Sequence, residues 1–197
     1  MNNEENMPEN RTGNYTAFYV DEPFDESNLK AYATHDFCFY NMIKMWKAND
    51  SGFHFVNSHN KTYNVRDGSS WESTLKPRLH ERLSYSKNII LILSSTTKNS
   101  RALREELDYG VNEKKLPVIV LYPDFSDEHE ILDEEGKHIN NRIKALWNLL
   151  PVFKDNMHKV ATIHMPFKKD LLKRTLLNPN FTVQGNKKGC FFYPVKK

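Results

Sequence analysis

The chain has 197 residues, of which 39% are hydrophobic and 27% charged, so it can bury one substantial core and is predicted to form one domain. Its two cysteines, Cys38 and Cys190, are too few for a disulfide framework and lack the paired spacing of a zinc site. No apolar run reaches the roughly 20 residues of a membrane span, and residues 1–14 lack the layout of a signal peptide. Since the net charge of +3 is also modest, we expect a cytoplasmic protein that contacts neither membranes nor nucleic acids and holds no metal.

The first part of the chain alternates between polar, strand-like and helix-like segments. Residues 1–14 are polar and lack a periodic apolar pattern, so we expect a disordered or loosely docked arm. Aromatic and β-branched residues at 15–20 predict a strand that stops before Pro23. Helical spacing of apolar residues predicts a helix over 36–47, and residues 53–56 predict a second strand.

The next helix is predicted after a polar loop. Leucines recur at every fourth residue from Leu75 to Leu83, which is the spacing of a helix with one buried face. Pro77 is compatible with this helix if Ser73 or Thr74 caps it, because Pro77 then falls in the first turn.

An unbroken apolar run at 88–93 is typical of a central parallel strand that is covered on both faces. Similar patterns predict a helix at 100–114, a strand at 117–122, a helix at 139–150, a strand at 160–163 and a helix at 168–177. This alternation favours the α/β class. We predict one flavodoxin-like domain at 15–178, with a parallel five-stranded sheet and helices on both faces, and a C-terminal extension at 179–197. Ligands bind such sheets at the carboxyl ends of the strands.

The helix predicted at 100–114 carries two adjacent carboxylates with different expected environments. At about 100° per residue, Glu106 lies at the border of the buried stripe, whereas Glu105 points away from it. We therefore expect Glu105 to be a solvated surface charge and Glu106 to reach past the helix edge into a cleft above the sheet. A partly desolvated carboxylate there is a candidate functional group, and a surface pair with Arg104 or Lys87 is the alternative.

Several motifs occur together in a fixed order along the chain. They are MWKA at 45–48, RDGSSWE at 66–72, LKPRLHERL at 75–83, SKN at 86–88, STT at 95–97 and REEL at 104–107. In this order and spacing the chain resembles the bacterial TIR-like proteins that include the TIR subunit of Thoeris anti-phage systems. The resemblance covers about Tyr15 to Tyr122 and, more loosely, extends to Leu177. It implies a TIR-like fold.

The resemblance also implies an enzyme that cleaves the bond between nicotinamide and ribose in NAD, with Glu106 as the catalytic carboxylate. Cleavage neutralises the charge of nicotinamide, so the leaving group needs no proton and one carboxylate can stabilise the oxocarbenium-like ribose. NAD is then the substrate and no cofactor is expected. In Thoeris-like systems such an enzyme makes a cyclic or conjugated ADP-ribose that activates a separate effector. The implied partners are NAD, that effector, a phage-derived activator and a second copy of the chain.

Two loops at the strand ends hold further candidates for contacting NAD. Phe18, Tyr19 and Asp21 can supply aromatic stacking and backbone contacts, with ordinary strand-end packing as the alternative. Ser95 and Thr97 precede a helix, where their hydroxyls and the helix N-terminus can meet a phosphate or ribose. These two hydroxyls can equally serve only as helix caps.

A third loop follows the predicted second strand, where the resemblance places the segment that closes over nicotinamide. Its candidates are His59, Arg66, Asp67 and Trp71. Arg66 can neutralise the pyrophosphate of NAD. The alternative is a loop ion pair between Arg66 and Asp67, with Trp71 filling the core.

Two departures from the family pattern bear on the substrate pocket. Many TIR enzymes have a tryptophan four residues before the glutamate, where this chain has Ala102, so Trp71 is an alternative platform for the base. Residues 23–33 are an insertion that can reshape the pocket and change the product. Two other functions stay open: a TIR scaffold that acts only through assembly, and a flavodoxin-like or receiver-like domain. The latter is disfavoured because Ser94 and Ser95 stand where an acidic pair is expected.

Overall fold

The computed structural model describes residues 11–20, 35–59 and 70–193. Within these ranges the chain forms a parallel five-stranded sheet whose strands lie side by side in chain order. The strands are β1 (Gly13–Ala17), β2 (Ser86–Ile92), β3 (Val118–Tyr122), β4 (Ala161–Pro166) and β5 (Gly189–Phe192). The prediction of an α/β domain with a parallel five-stranded sheet is confirmed.

Helices cover both faces of the sheet. In the described ranges they are α1 (His35–Asn49), α2 (Lys76–Ser84), α3 (Arg101–Asp108), α4 (Asn141–Trp147), α5 (Pro151–Asn156) and α6 (Lys169–Leu176). Successive strand residues face opposite sides, so Ile89 and Leu91 pack in one core with α2 to α5. Ile90 and Ile92 pack in a second core with α1 and α6. Among the described residues, no helix has the length and apolar character needed to span a bilayer.

The segment at 53–56, predicted as the second strand, is not a strand. It runs beside the outer edge of β1 and is joined to it by a single bridge, between Asn14 and Asn57. The side-chain oxygen of Asn14 accepts the backbone N–H of Val56 at 2.8 Å, which occupies a donor that a longer ladder would use. The first connection, through α1, therefore joins β1 to the segment at its outer edge. The second connection, through α2, joins that segment to β2, on the other side of β1. Sheets of this class bind ligands where the connections diverge in this way.

The described domain extends beyond the predicted limits at both ends. Strand β1 begins at Gly13, and Arg11 is only 6% exposed, so residues 11–14 are part of the fold rather than a loose arm. Strand β5 lies within the predicted C-terminal extension and pairs with β4, with Ala161 opposite Gly189. The assignment of residues 179–197 to an extension outside the domain was therefore wrong for β5.

The helix predicted around Leu75 to Leu83 is present but begins earlier than expected. A π-helical turn, Trp71–Leu75, precedes α2, and the Ser70 side chain caps it by accepting the N–H of Ser73 at 3.4 Å. The cap is therefore Ser70 and not Ser73 or Thr74, whereas Pro77 lies in the first turn of α2, as predicted. The wide π-helical turn directly precedes Pro77, whose ring would clash with the carbonyl of the preceding turn of a regular helix.

Two later helices also differ from their predicted limits. The helix predicted at 100–114 is present, with α3 continuing as a π-helical turn, Tyr109–Glu113. The helix predicted at 139–150 ends at Trp147 as α4, and Pro151 starts the separate helix α5. Proline suits the first position of a helix because it has no N–H to leave unpaired there.

Candidate active site

Glu106 is the sixth residue of α3, the helix that follows β2. Ser100 caps α3 by accepting the N–H of Leu103 at 3.3 Å, and the buried Leu103 and Leu107 pack the helix on the sheet. Glu106 lies at the edge of this packed face and is half-buried. Its Oε1 accepts a hydrogen bond of 2.8 Å from the hydroxyl of Tyr15 on β1.

The Glu106 carboxyl group is poorly solvated. Its Oε2 is shielded from solvent and accepts no hydrogen bond from the described residues. Burial raises the pKa of Glu106 to about 8, although the Tyr15 hydrogen bond and the positive charge of Arg82 act to lower it. The group is therefore mostly protonated at neutral pH, and a cation or hydroxyl donor placed at Oε2 would favour the ionised form.

Tyr15 is the direct partner of Glu106. Its side chain is 1% exposed, and burial followed by the nearby Glu106 charge raises its pKa well above the usual range. The hydroxyl therefore keeps its proton and acts as a donor to the carboxyl group. Within the described residues, neither Arg104 nor Lys87 forms the ion pair with Glu106 that was the alternative to a functional role.

His59 and Arg82 complete the surroundings of this carboxyl group. The imidazole of His59 packs against the Tyr15 ring, with 4.6 Å between ring centroids. Its Nε2 lies 3.0 Å from the Thr16 carbonyl, so Nε2 carries the hydrogen and Nδ1 faces the Arg82 guanidinium at 3.5 Å. Burial and the charge of Arg82 lower the pKa of His59 to about 4, so the ring is neutral at physiological pH. The predicted candidate His59 thus reaches Glu106 through one intervening residue.

Glu105 was expected to be a solvated surface charge, and this was wrong. Its side chain is 23% exposed and pairs with His80 at 2.7 Å and Lys76 at 3.2 Å, both on α2. Burial opposes ionisation, but these two partners lower the pKa of Glu105. The ring of His80 also stacks on Tyr109 at 3.5 Å. The two adjacent glutamates on α3 therefore differ. Glu105 links α3 to α2, whereas one oxygen of Glu106 has no partner in the described part of the chain.

The predicted aromatic candidates are spread over two faces of the sheet. Phe18 stacks on Tyr40 of α1 at 4.9 Å, on the face opposite Glu106. Tyr19 is buried in the same core as α3. Trp71 is partly buried, packs against the edge of that core and faces the guanidinium of Arg101 at 4.6 Å, so its role as a base platform stays a prediction.

The predicted hydroxyl candidates serve the loop between β2 and α3. Thr97 is buried, and its hydroxyl donates to Asp36 Oδ2 at 2.8 Å while accepting the N–H of Ser94 at 2.9 Å. The Ser94 hydroxyl donates to the other oxygen of Asp36 at 2.5 Å. Ser95 is exposed, and its N–H donates to Asp124 at 2.6 Å. Thr97 therefore holds the loop to the start of α1, and Ser95 keeps an exposed hydroxyl.

Three candidates, Asp21, Arg66 and Asp67, lie outside the described residues, as does the insertion at 23–33. The two best-formed cavities within the described ranges lie away from Glu106. One, of about 450 Å³, is at the start of α6, and the other, of about 520 Å³, is at the amino ends of β1 and β2. The cleft expected beside Glu106 therefore stays a prediction.

Sequence reasoning missed three residues that shape this region: Tyr15, Arg82 and Asp36. The alternation of a strand offered a signal for Tyr15, because Tyr15, Ala17 and Tyr19 must share one face of β1. Asp36 carried a weaker signal as an acidic residue in the first turn of α1. Arg82 carried none, since a basic residue on a surface helix is ordinary.

A single parallel five-stranded sheet with helices on both faces fits the class of α/β TIR-like domains. The model of the family described as the Thoeris protein ThsB, TIR-like domain, matches residues 15–128, and the chain belongs to this family. The matched range spans the positions of Tyr15, His59, Arg82 and Glu106. Membership makes the chain a TIR-domain defence protein.

Proposed function

We propose that this chain cleaves NAD between nicotinamide and ribose and that Glu106 is the catalytic carboxylate. The observation that carries the proposal is the buried Oε2 of Glu106, which has no hydrogen-bond partner among the described residues. A buried polar atom without a partner is unfavourable unless a ligand satisfies it. A ribose hydroxyl can supply the missing hydrogen bond while Tyr15 holds the other oxygen.

The reaction needs little more than one negative charge. The bond between the ribose C1′ and the nicotinamide nitrogen breaks, and its electron pair neutralises the pyridinium ring as nicotinamide leaves. The ribose acquires oxocarbenium character, which a nearby carboxylate stabilises. Water or a hydroxyl of the ADP-ribose portion then attacks C1′ and loses a proton, which gives ADP-ribose or a cyclic product. Attack by another nucleophile gives a conjugate.

The protonation of Glu106 fits a cationic substrate. The pKa of about 8 means that the free protein holds mostly the neutral acid at neutral pH. The positive charge of the nicotinamide ring beside this group favours its ionised form, so substrate binding promotes loss of the proton. The value of kcat/KM should therefore rise with pH through about 8, while kcat rises at a lower pH.

The product is a proposed signal. We propose that the enzyme converts NAD to a cyclic or conjugated ADP-ribose, which activates a separate effector during anti-phage defence. The second candidate function is a TIR scaffold without catalysis. It is favoured by one observation, that neither of the two best-formed cavities in the described part of the chain is lined by Glu106.

The proposal is tested by measuring nicotinamide release from NAD at pH 8.5 with the purified chain and two variants. Glu106→Gln keeps the size of the side chain and should reduce release by about 100-fold or more. The neighbouring Glu105→Gln is the matched control and should stay within about threefold, because Glu105 pairs with α2 instead. Equal release from the wild type and Glu106→Gln would remove Glu106 from the reaction.

An enzyme that is inactive before infection would release no nicotinamide in the purified assay, so a second experiment is needed. The wild type and Glu106→Gln are coexpressed under phage challenge, and ADP-ribose derivatives in filtered lysate are identified by mass spectrometry. A new nucleotide only with the wild type supports the signalling enzyme. Nicotinamide release in neither arm, with protection against phage retained by Glu106→Gln, supports the scaffold.

A further inference from the structure

A second cavity lies at the opposite end of the sheet from the proposed active site. Its volume is about 520 Å³, within the range of small-molecule sites. It is bordered by the residues before β1, the edge segment at 54–56, the start of β2 and the chain between α6 and β5. These are amino-terminal strand ends, so a ligand here would not reach the carboxyl ends of the same strands.

The charged side chains that line this cavity are basic. They belong to Arg11, Lys47 and Lys87, and His54, Thr12, Thr182 and Gln184 add further polar groups, with no acidic residue among the described lining residues. Lys87 is half-buried, and burial lowers its pKa. The described residues provide Lys87 with no salt bridge or side-chain hydrogen bond. Even partial removal of an ammonium group from water is unfavourable without a counter-charge, so an anion in the cavity would offset part of this cost.

The apolar lining of the cavity favours a ligand that has an apolar body in addition to its negative charge. Val56 is 49% exposed and Leu177 is 57% exposed, although both are large apolar side chains. Pro179 and Phe55 extend this surface. A ligand with a flat apolar body and one strongly charged group would cover the apolar side chains and meet the lysines together.

We propose that this cavity binds a small organic phosphate of mononucleotide size. A phosphate monoester carries about −1.5 to −2 charges near pH 7, which suits several cations better than a carboxylate does. Lys87 and Lys47 contact the phosphate, and the apolar residues contact the organic body. Lys47 also lies in the last turn of α1, where a cation stabilises the helix C-terminus, so Lys87 is the more specific of the two. The site goes beyond the proposed cleavage of NAD and does not depend on it.

The test titrates the full chain with AMP, inorganic phosphate and adenosine in separate calorimetric arms. We expect AMP to bind, inorganic phosphate to bind about tenfold more weakly, and adenosine to give no measurable binding. A parallel NMR titration follows the ring resonance of His54, assigned with His54→Gln, because His54 lines this cavity. The resonance should move with AMP, which distinguishes this site from AMP bound near Glu106.

Lys87→Gln should weaken AMP binding about tenfold or more, and Lys144→Gln on α4, outside the cavity, should leave it unchanged. Circular dichroism checks that Lys87→Gln is folded. The exposed Lys47→Gln should weaken binding about threefold without disturbing the fold. The proposal is overturned if AMP does not bind, if Lys87→Gln and Lys47→Gln bind AMP like the wild type, or if adenosine or inorganic phosphate binds as tightly as AMP.

Discussion

Two buried carboxyl groups lie near the carboxyl ends of β1 and β2, and their surroundings differ. Asp36 is fully buried, and Ser94 and Thr97 each donate a hydroxyl hydrogen bond to one of its oxygens. Glu106 has one oxygen bonded to Tyr15 and a second, buried oxygen that accepts no hydrogen bond from the described residues. Burial raises the pKa of both groups, and hydrogen bonds act to lower it. In Asp36 such bonds reach both carboxyl oxygens, whereas in Glu106 only one oxygen accepts a bond from the described residues.

This difference separates a structural carboxylate from a candidate catalytic one. The partners of Asp36 join α1 to the loop between β2 and α3, and they leave no acceptor for a ligand. Glu106 leaves an acceptor whose desolvation stays uncompensated, which is destabilising for the free protein. Loss of the side-chain charge should therefore have opposite effects on stability at the two positions.

The largest expected effect is at Asp36. Asp36→Ala should lower the free energy of unfolding by about 2–4 kcal/mol, because it leaves the hydroxyls of Ser94 and Thr97 buried without their acceptor. Urea unfolding at pH 7 measures the change. Asp155→Ala, at an exposed position on α5, is the matched control and should change stability by less than about 0.5 kcal/mol. If Asp36→Ala lowers the free energy of unfolding no more than Asp155→Ala does, the hydrogen bonds from Ser94 and Thr97 to Asp36 contribute little to stability.

The next effect has the opposite sign and depends on pH. Between pH 4.5 and about 8, an unfolded chain loses the Glu106 proton while the folded protein keeps it, so stability falls as pH rises through this window. Glu106→Gln removes this loss. Relative to the wild type, the variant should gain about 1–2 kcal/mol on going from pH 4.5 to pH 8.5, with allowance for solvent screening.

Unfolding of the variant and the wild type at both pH values measures this gain. Glu105→Gln is the matched control with the opposite sign, because the pKa of Glu105 is lowered. The stability contributed by ionised Glu105 is present above its unfolded pKa and is lost as pH falls, so this variant should be slightly less stable at pH 8.5. A Glu106→Gln variant without any gain at high pH would show that Oε2 is solvated.

Tyr15→Phe should produce a smaller change, in the pH at which Glu106 ionises. The Tyr15 hydroxyl favours the carboxylate, so its removal should raise the pKa of Glu106 further. The fall in stability with pH should then shift to higher pH, as should the rise in kcat/KM for nicotinamide release. In a Glu106→Gln background the same substitution should cause no shift, and a shift there would assign the effect to another group.

Much of the fold was predictable because its signals are local. The apolar run at 88–93 identified the central strand, and the helical spacing after it identified α3. The strand predicted at 53–56 failed for a tertiary reason, because the Asn14 side chain occupies the N–H of Val56. Strand β5 was missed because its four residues, Gly189–Phe192, are too short a pattern to distinguish from a loop, and only pairing with β4 makes them a strand.

The candidate site was predictable only in part. Helix periodicity placed Glu106 at the border of the buried face, and the family resemblance drew attention to it. The partners were not predictable, since Tyr15 and Glu106 are 91 positions apart and meet only when β1 and α3 pack. The same helix periodicity misjudged Glu105, because it does not reveal that α2 supplies Lys76 and His80 on that side.

The smallest expected effect concerns a carboxylate that is exposed. Glu72 is 70% exposed and pairs with Arg101 at 2.6 Å, so water solvates both charges in the folded and unfolded states. Glu72→Gln should therefore change the free energy of unfolding by less than about 0.5 kcal/mol, and 0.5 M salt should remove most of that change. Urea unfolding at two salt concentrations measures it. If Glu72→Gln lowered the free energy of unfolding nearly as much as Asp36→Ala, burial would not determine how much a carboxylate contributes to stability. The distinction between Asp36 and Glu106 would then lose its physical basis.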